Sequence, residues 1–331
     1  MAWLTGWTYR KAITLSRASG ATNNYIMTLL VGESSGASGE DVDCGAKCAT
    51  DFDDLRFTAD DGETLCNYWI ESISGVTPNQ LAKVHIKFPT IGTEATTFYM
   101  YYGNSGASAY SSGADTFEFF DDFPGDSLDT DKWDVKAGDV SVSGGELILS
   151  GTTGTRGLIE SKTGFTTGRA WFARFKTAAN KTAGNHISFR QTGDWNNRAA
   201  DYFGDALTTS PNKCYFATYR DGSSTTTTAI SVTNAEQFAV WRGTWEENKS
   251  ILRQGTTDLV THTTNVAGGT QYLTLFETIV NNINLYIDWI YVVPYLATEP
   301  AWGSWGSEET VSAGSLSLKN VFGRPFRGCF R

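Results

Sequence analysis

Short runs in which apolar and polar residues alternate recur along the chain between residues 9 and 293, separated by clusters of Gly, Asp, Asn and Ser, and no stretch carries a helical period. Alternation with a period of two makes half-buried strands, and many such runs at even spacing can bury their apolar faces only as packed layers of sheet. Early runs fall at 9–15, 25–31, 55–58, 64–70, 82–88 and 97–102; later ones at 157–161, 169–176, 186–191, 214–220, 237–245, 250–254, 259–263, 273–276 and 285–293. Val140-Ser141-Val142-Ser143 and Glu146-Leu147-Ile148-Leu149 flank Gly144-Gly145, the pattern of a two-residue hairpin turn. Aromatic residues make up 13% of the chain and Ala/Leu/Glu/Lys blocks are missing, which also favours strands. At 331 residues, two domains are expected, each able to bury its own core.

The break between them falls at an acidic, Phe-rich stretch. From Asp115 to Asp134 there are eight acids, one Lys and four Phe. Phe119, Asp121 and Phe123 alternate with Phe120 and Asp122 before Pro124-Gly125 ends the run, so a strand entering a core stands beside a carboxylate-rich loop. The small polar segment 104–115 reads as a linker into it.

The string Phe119-Phe120-Asp121-Asp122-Phe123-Pro124-Gly125-Asp126-Ser127-Leu128-Asp129-Thr130-Asp131-Lys132-Trp133 resembles the opening of concanavalin A-like (laminin-G-like) jelly rolls. Before it, Trp7-Thr8-Tyr9-Arg10-Lys11, Asp54-Leu55-Arg56-Phe57-Thr58 with Asp61-Gly62, and Tyr99-Met100-Tyr101-Tyr102-Gly103-Asn104 resemble the DUF2341 family. Tyr286–Val292 and Glu299-Pro300-Ala301-Trp302-Gly303 resemble the way such tandem proteins close. The resemblance implies an all-β chain of two tandem antiparallel β-sandwiches, at 1–115 and 116–297, with a C-terminal extension over 298–331. It implies fold more firmly than activity, because such sandwiches host many functions.

A net charge of −10 argues against a partner whose phosphates must be neutralised, so no nucleic acid is expected. No apolar run approaches the ~20 residues of a membrane helix, and the start MAWLTGWTYRK lacks both the basic and the apolar parts of a signal peptide. The expectation is an extracellular or virion-surface protein without a recognisable signal peptide and without membrane insertion. Five Cys stand at 44, 48, 66, 214 and 329. A bond from Cys44 or Cys48 to Cys66 is sterically open, whereas a zinc set of these three with His85 matches no compact metal spacing.

Crowded carboxylates are hard donors that can hold Ca²⁺, and in a jelly roll the first and last strands lie close. Asp121, Asp122 and Asp288 are therefore the candidate metal residues, with structural calcium the candidate cofactor and capping of backbone donors the alternative. Gly125-Asp126-Ser127-Leu128 and Gly32-Glu33-Ser34-Ser35-Gly36 match hydrolase strings but lack the strand–elbow–helix setting and a delivered His. Glycoside hydrolysis needs two facing carboxylates. The E-x-D-x-x-E string of jelly-roll glucanases is absent, and Glu160, Glu246, Glu247 and Glu277 stand isolated in the sequence, as do the three His.

Trp195-Asn196-Asn197-Arg198 with Asp201 and Tyr202 mix aromatic, amide, carboxylate and guanidinium groups in what reads as a loop, the mixture that binds sugars. The tail after Glu309 has four basic residues, no acid and several Phe. Phe322, Arg324, Phe326, Arg327 and Phe330 are expected to anchor it on other copies or other subunits. The expectation that follows is a non-enzymatic structural or adhesive surface protein, a virion or cell-surface component that takes a glycan or host-surface ligand. A jelly-roll carbohydrate-active enzyme and an architectural subunit without ligand are the alternatives.

Overall fold

A computed structural model describes residues 2–37, 39–150, 156–177, 185–204, 213–226, 230–232, 235–277 and 284–311. Among the described residues the chain is all-β apart from one short helix, and it divides into two compact units. The first comprises Met1–Ser16, Thr28–Ser111 and Ala301–Arg331; the second comprises Arg17–Met27 and Ser112–Pro300. No helix among the described residues is long and apolar enough to cross a membrane.

The opening strands are β1 (Tyr9–Ser16), β2 (Thr22–Gly32), β3 (Val42–Asp43), β4 (Arg56–Thr58), β5 (Leu65–Cys66), β6 (Tyr68–Ser74), β7 (Leu81–Ile91) and β8 (Thr96–Tyr102). The helix α1 (Gly113–Thr116) follows, capped by the Ser112 hydroxyl, which accepts from Asp115 N. Then come β9 (Phe119–Asp121), β10 (Trp133–Ala137), β11 (Asp139–Ser143), β12 (Glu146–Ser150), β13 (Leu158–Phe165), β14 (Arg169–Thr177), β15 (Asn185–Arg190), β16 (Arg198–Gly204), β17 (Lys213–Arg220), β18 (Ser223–Thr226) and β19 (Ile230–Ser231). The closing strands are β20 (Ala239–Trp245), β21 (Ser250–Gln254), β22 (Thr257–His262), β23 (Gln271–Glu277), β24 (Asn284–Pro294), β25 (Ala301–Trp305) and β26 (Glu309–Thr310).

In the first unit one sheet runs β25-β1-β8-β4-β5, with β26 also on β1, and the other runs β3-β2-β7-β6. All described pairs are antiparallel except β2 with β3. Phe88 of β7 meets Phe98 of β8 with ring centres 4.5 Å apart, and Tyr68 of β6 meets Phe57 of β4 at 5.2 Å, so the two sheets face each other as a sandwich. The segment expected as the start of a C-terminal extension instead returns to the first strand: Trp305 lies opposite Ile13 and Glu309 opposite Arg10. Arg10 is clamped between the rings of Trp3 and Tyr99, 4.3 and 4.2 Å from their centres, and is ion-paired with Glu309 at 2.7 Å. The assembly residues Phe322, Arg324, Phe326, Arg327 and Phe330 lie outside the described residues.

The second unit stacks β10-β13-β23-β15-β16-β17-β18 on β11-β12-β24-β14-β20-β21-β22, with β19 on β17 and β9 on β24. One cluster of apolar side chains from both sheets fills the space between them, including Trp171, Trp245, Leu149, Ile187, Phe189, Leu273 and Ile290. The Gly144-Gly145 turn between β11 and β12 has φ of +62° and +78°, a left-handed pair that glycine adopts without strain.

The acidic stretch folds as strand plus loop. Phe119 and Trp133 enter the core with ring centres 4.9 Å apart, and the buried Asp121 carboxylate accepts from Trp133 Nε1 at 2.7 Å and from Phe123 N at 3.0 Å. Two orphan donors are thereby satisfied beside a large aromatic core residue.

Candidate functional site

Alternation along β15 assigns its two faces. Ile187 and Phe189 belong to the core, so His186, Ser188 and Arg190 point to the opposite, outer face of the sheet. Leu273 and Leu275 do the same for β23, turning Tyr272, Thr274 and Phe276 outward, and Ile159 of β13 turns Glu160 outward. The register then lines up one row across four strands: Asp134 opposite Glu160, Glu160 opposite Thr274, Thr274 opposite Ser188. A parallel row sets Leu158, Phe276, His186 and Phe203 side by side.

The outer face of a sandwich is ordinarily solvated, yet the middle of this one is buried. Glu160 is 2% exposed, Arg190 3%, Ser188 1%, and Thr274 and Asp201 0%. Glu160 is ion-paired with Arg190, accepts from Thr192 Oγ1 at 3.1 Å, and lies 3.7 Å from Lys136 Nζ, which also reaches Asp134 at 3.1 Å. Asp201 bonds His186 Nδ1 at 3.0 Å and accepts from Arg198 Nε at 2.6 Å. Burial pushes its carboxyl upward, but His186 and Arg198 outweigh that and hold it below the usual carboxylate range.

Trp195 roofs this network. The Arg190 guanidinium stands 4.1 Å from its ring centre, Arg198 stands at 5.6 Å, and the ring packs on Phe276 at 5.0 Å and His186 at 5.8 Å. Arg198 in turn lies 3.6 Å from the ring centre of Tyr219. Two polar atoms in the middle of the face, Ser188 Oγ and Arg190 Nε, are buried without a hydrogen-bond partner among the described residues. Leaving such groups unpaired costs about 1–3 kcal/mol each.

The structure divides the expected ligand residues. Trp195, Arg198 and Asp201 are gathered on the face. Asn197 instead pins the turn, donating to Asp194 at 2.7 Å and accepting from Asp221 N at 3.0 Å, and Asn196 is exposed with its backbone N–H on Asp194. Tyr202 points the other way, 1% exposed within the core cluster, since the neighbour of an outward Asp201 must face inward. The segment from Arg198 is a strand and not a loop: a bulge between Arg198 and Asp201, with Ala200 at φ +50°, breaks the alternation that would have revealed it.

Sequence reasoning left Glu160 isolated and missed Ser188, Arg190 and Thr274 altogether. The histidines are not partnerless: besides His186, His85 bonds Thr28 and Glu71, and His262 bonds Thr218.

The carboxylates expected to bind calcium each have their own setting, although partial burial, and after it the nearby charges of Asp121 and Asp288, raise the Asp122 carboxyl. Asp121 serves Trp133 and Phe123, Asp288 is ion-paired with Arg174, and Asp122 is exposed. Strand β9 does lie beside β24, but its register ends with Asp121 opposite Ile290. Among the described residues no three His, Cys, Asp or Glu side chains come together as a metal site, which agrees with the mismatch of Cys44, Cys48, Cys66 and His85 to any compact zinc spacing.

Residues 51–136 match the family described as a domain of unknown function, DUF2341. No curated protein matches the sequence. Solved structures similar to the chain include an endo-β-1,3-glucanase from Pyrococcus furiosus, at 14% identity and TM-score 0.44, covering 55% of this chain and 95% of that one. Others are a β-1,3-1,4-glucanase (lichenase) from a mouse hindgut metagenome, at 15% identity and TM-score 0.45, covering 53% and 98%, and a Bacillus licheniformis β-glucanase, at 15% identity and TM-score 0.44, covering 53% and 97%. At such identities the likeness is one of fold. The three named above are glucanases; against them the expectation of a non-enzymatic adhesive surface protein is corrected, and the function is argued below from the face itself.

Proposed function

We propose that the second unit is a concanavalin A-like jelly roll that cleaves glycosidic bonds, taking a glycan across the outer face of β10, β13, β23 and β15. The observation that carries this reading is the pair of buried, unpartnered donors, Ser188 Oγ and Arg190 Nε, beside the buried carboxylate of Glu160. Sugar hydroxyls supply the acceptors those donors lack, and the roof of Trp195 offers a ring face for a pyranose C–H surface. A sheet that only had to be soluble would gain nothing from burying ions, because desolvation costs several kcal/mol per ion.

Glycoside hydrolysis uses two carboxyl groups about 5–10 Å apart. Glu160 and Asp134 are opposite one another in register and share the ammonium of Lys136, which keeps their oxygens no farther apart than about 7 Å, short of the upper end of that range. Glu160 is assigned as the carboxylate that meets the reacting sugar and Asp134 as its partner; Asp201, fixed by His186 and Arg198, orients the face.

The test is reducing-sugar release by the full chain from β-1,3-glucan, mixed-linkage β-glucan and mucin glycans. Release that falls at least about 100-fold in Glu160→Gln, with the melting temperature little changed, supports the assignment. Absence of release from every glycan, or a Glu160→Gln variant as active as the parent, overturns it.

A further inference from the structure

The first unit carries a second reactive feature that the glycan face does not use. Strand β3 ends at Asp43, and Gly45 and Ala46 follow with φ of +59° and +60°, two successive left-handed residues that turn the chain back so that Lys47 N bonds Cys44 O at 3.1 Å. Asp43 Oδ1 fixes the turn by accepting from Gly45 N at 2.8 Å. This fold-back brings Cys44 and Cys48, both free thiols, to the two sides of one turn, near enough that each sulfur feels the other. Their accessibilities differ. Cys44 is buried, whereas Cys48 is half-buried and lines a cavity of about 530 Å³ with Tyr9, Lys47, Thr50, Asp54 and Ser105. That volume falls within the range of small-molecule sites.

We propose that Cys48 and Cys44 form a disulfide-exchange site, in which Cys48 attacks a low-molecular-weight disulfide seated in this cavity and Cys44 resolves the adduct. In the first step the Cys48 thiol gives up its proton and its sulfur bonds one sulfur of the reagent. The other sulfur leaves as a thiolate and takes up a proton. In the second step the Cys44 sulfur, losing its proton, attacks Cys48 and displaces the second thiol. The two protein thiols are oxidised by two electrons to one Cys44–Cys48 disulfide, and the reagent is reduced to two thiols. The division of roles follows from the environment. Burial, with the Cys48 sulfur close by, holds the Cys44 thiol well above its ordinary range, so it keeps its proton until Cys48 has reacted. Burial pushes Cys66 and Cys214 up to about 12 in the same way, and among the described residues neither has a thiol neighbour of this kind.

The experiment treats the full chain with oxidised glutathione at neutral pH, blocks remaining thiols by alkylation and reads each cysteine-containing peptide by mass, so that Cys329 is followed separately. The parent is expected to lose two hydrogens across Cys44 and Cys48 and to retain no glutathione there. Cys44→Ser should retain one glutathione on Cys48, and in Cys48→Ser residue 44 should react at least about ten-fold more slowly than Cys48 does in Cys44→Ser. Glutathione retained on Cys48 in the parent, equal rates for the two single variants, or no reaction at either cysteine would each overturn the proposal. Melting curves of both variants show whether the turn is still folded.

Discussion

Glu277 offers a measurement of how the second unit treats a carboxyl group that it buries. It stands at the end of β23 on the same side as Leu273 and Leu275, fully buried, and burial pushes its carboxyl from 4.5 up to about 9. In the folded chain it is therefore protonated through neutral pH, while in the unfolded chain it ionises above about 4.5. A raised folded value makes the group's contribution fully present below 4.5 and lost progressively as pH climbs towards 9. By linkage, the unfolded state gains about 1.4 kcal/mol per pH unit in that window, or about 3 kcal/mol by pH 7. Relaxation around the ionised group makes this an upper figure. Glu277→Gln removes the titration while keeping the shape. Urea unfolding of parent and variant at pH 5 and pH 8 is the assay: the variant should gain on the parent by ~2–4 kcal/mol between the two values. A difference that stays constant with pH would show that the carboxyl titrates normally in the fold and that its setting is wetter than the packing implies.

Three further outcomes follow from the same packing. Tyr202→Ala should cost about 3–5 kcal/mol in denaturant unfolding, because it empties a core site between Phe175 and Trp241, whereas Trp195→Ala should cost under ~2 kcal/mol and lower glycan turnover or binding instead. Asp121→Ala should destabilise the second unit by about 2–4 kcal/mol, since it strands the Trp133 indole N–H and the Phe123 amide in the core; an unchanged unfolding midpoint would remove the carboxylate from that role. Gly145→Ala, at φ +78° with open space around it, should cost about 1 kcal/mol through backbone strain alone, as read by thermal melting.

Much of the fold was legible because the strands that obey strict alternation reveal themselves locally. The hairpin around Gly144-Gly145, the runs at 169–176 and 285–293, and the acidic strand entering the core are all settled by residues within ten positions of each other. Two kinds of element escaped. Strand β16 hid behind its own bulge, which puts Ala199 and Ala200 in the core back to back and so erases the period. Strands β25 and β26 carry no clear alternation and are held by β1, nearly three hundred residues away, through Arg10 and the edge of an existing sheet.

The site was harder to read than the fold for a related reason. Glu160 and Arg190 lie thirty residues apart on strands separated by β23, so neither position carries a local sign of the other. What the sequence did display, Trp195 to Tyr202, is the roof and one edge of the face, and there the alternation rule alone would have excluded Tyr202 once Asp201 was taken as outward. The same rule applied to 158–160, 186–190 and 272–276 places Glu160, Ser188, Arg190 and Thr274 on outer positions, where a soluble sandwich needs no buried ions. Polar residues at outward positions look like ordinary surface in a sequence. They become a site only when cross-strand register sets them in rows and a loop aromatic closes over them, as Trp195 does here. For this chain, then, strand parity combined with pairing order picks out the proposed glycan face better than any motif does, and it is on that face that Ser188 Oγ and Arg190 Nε are buried without a partner among the described residues.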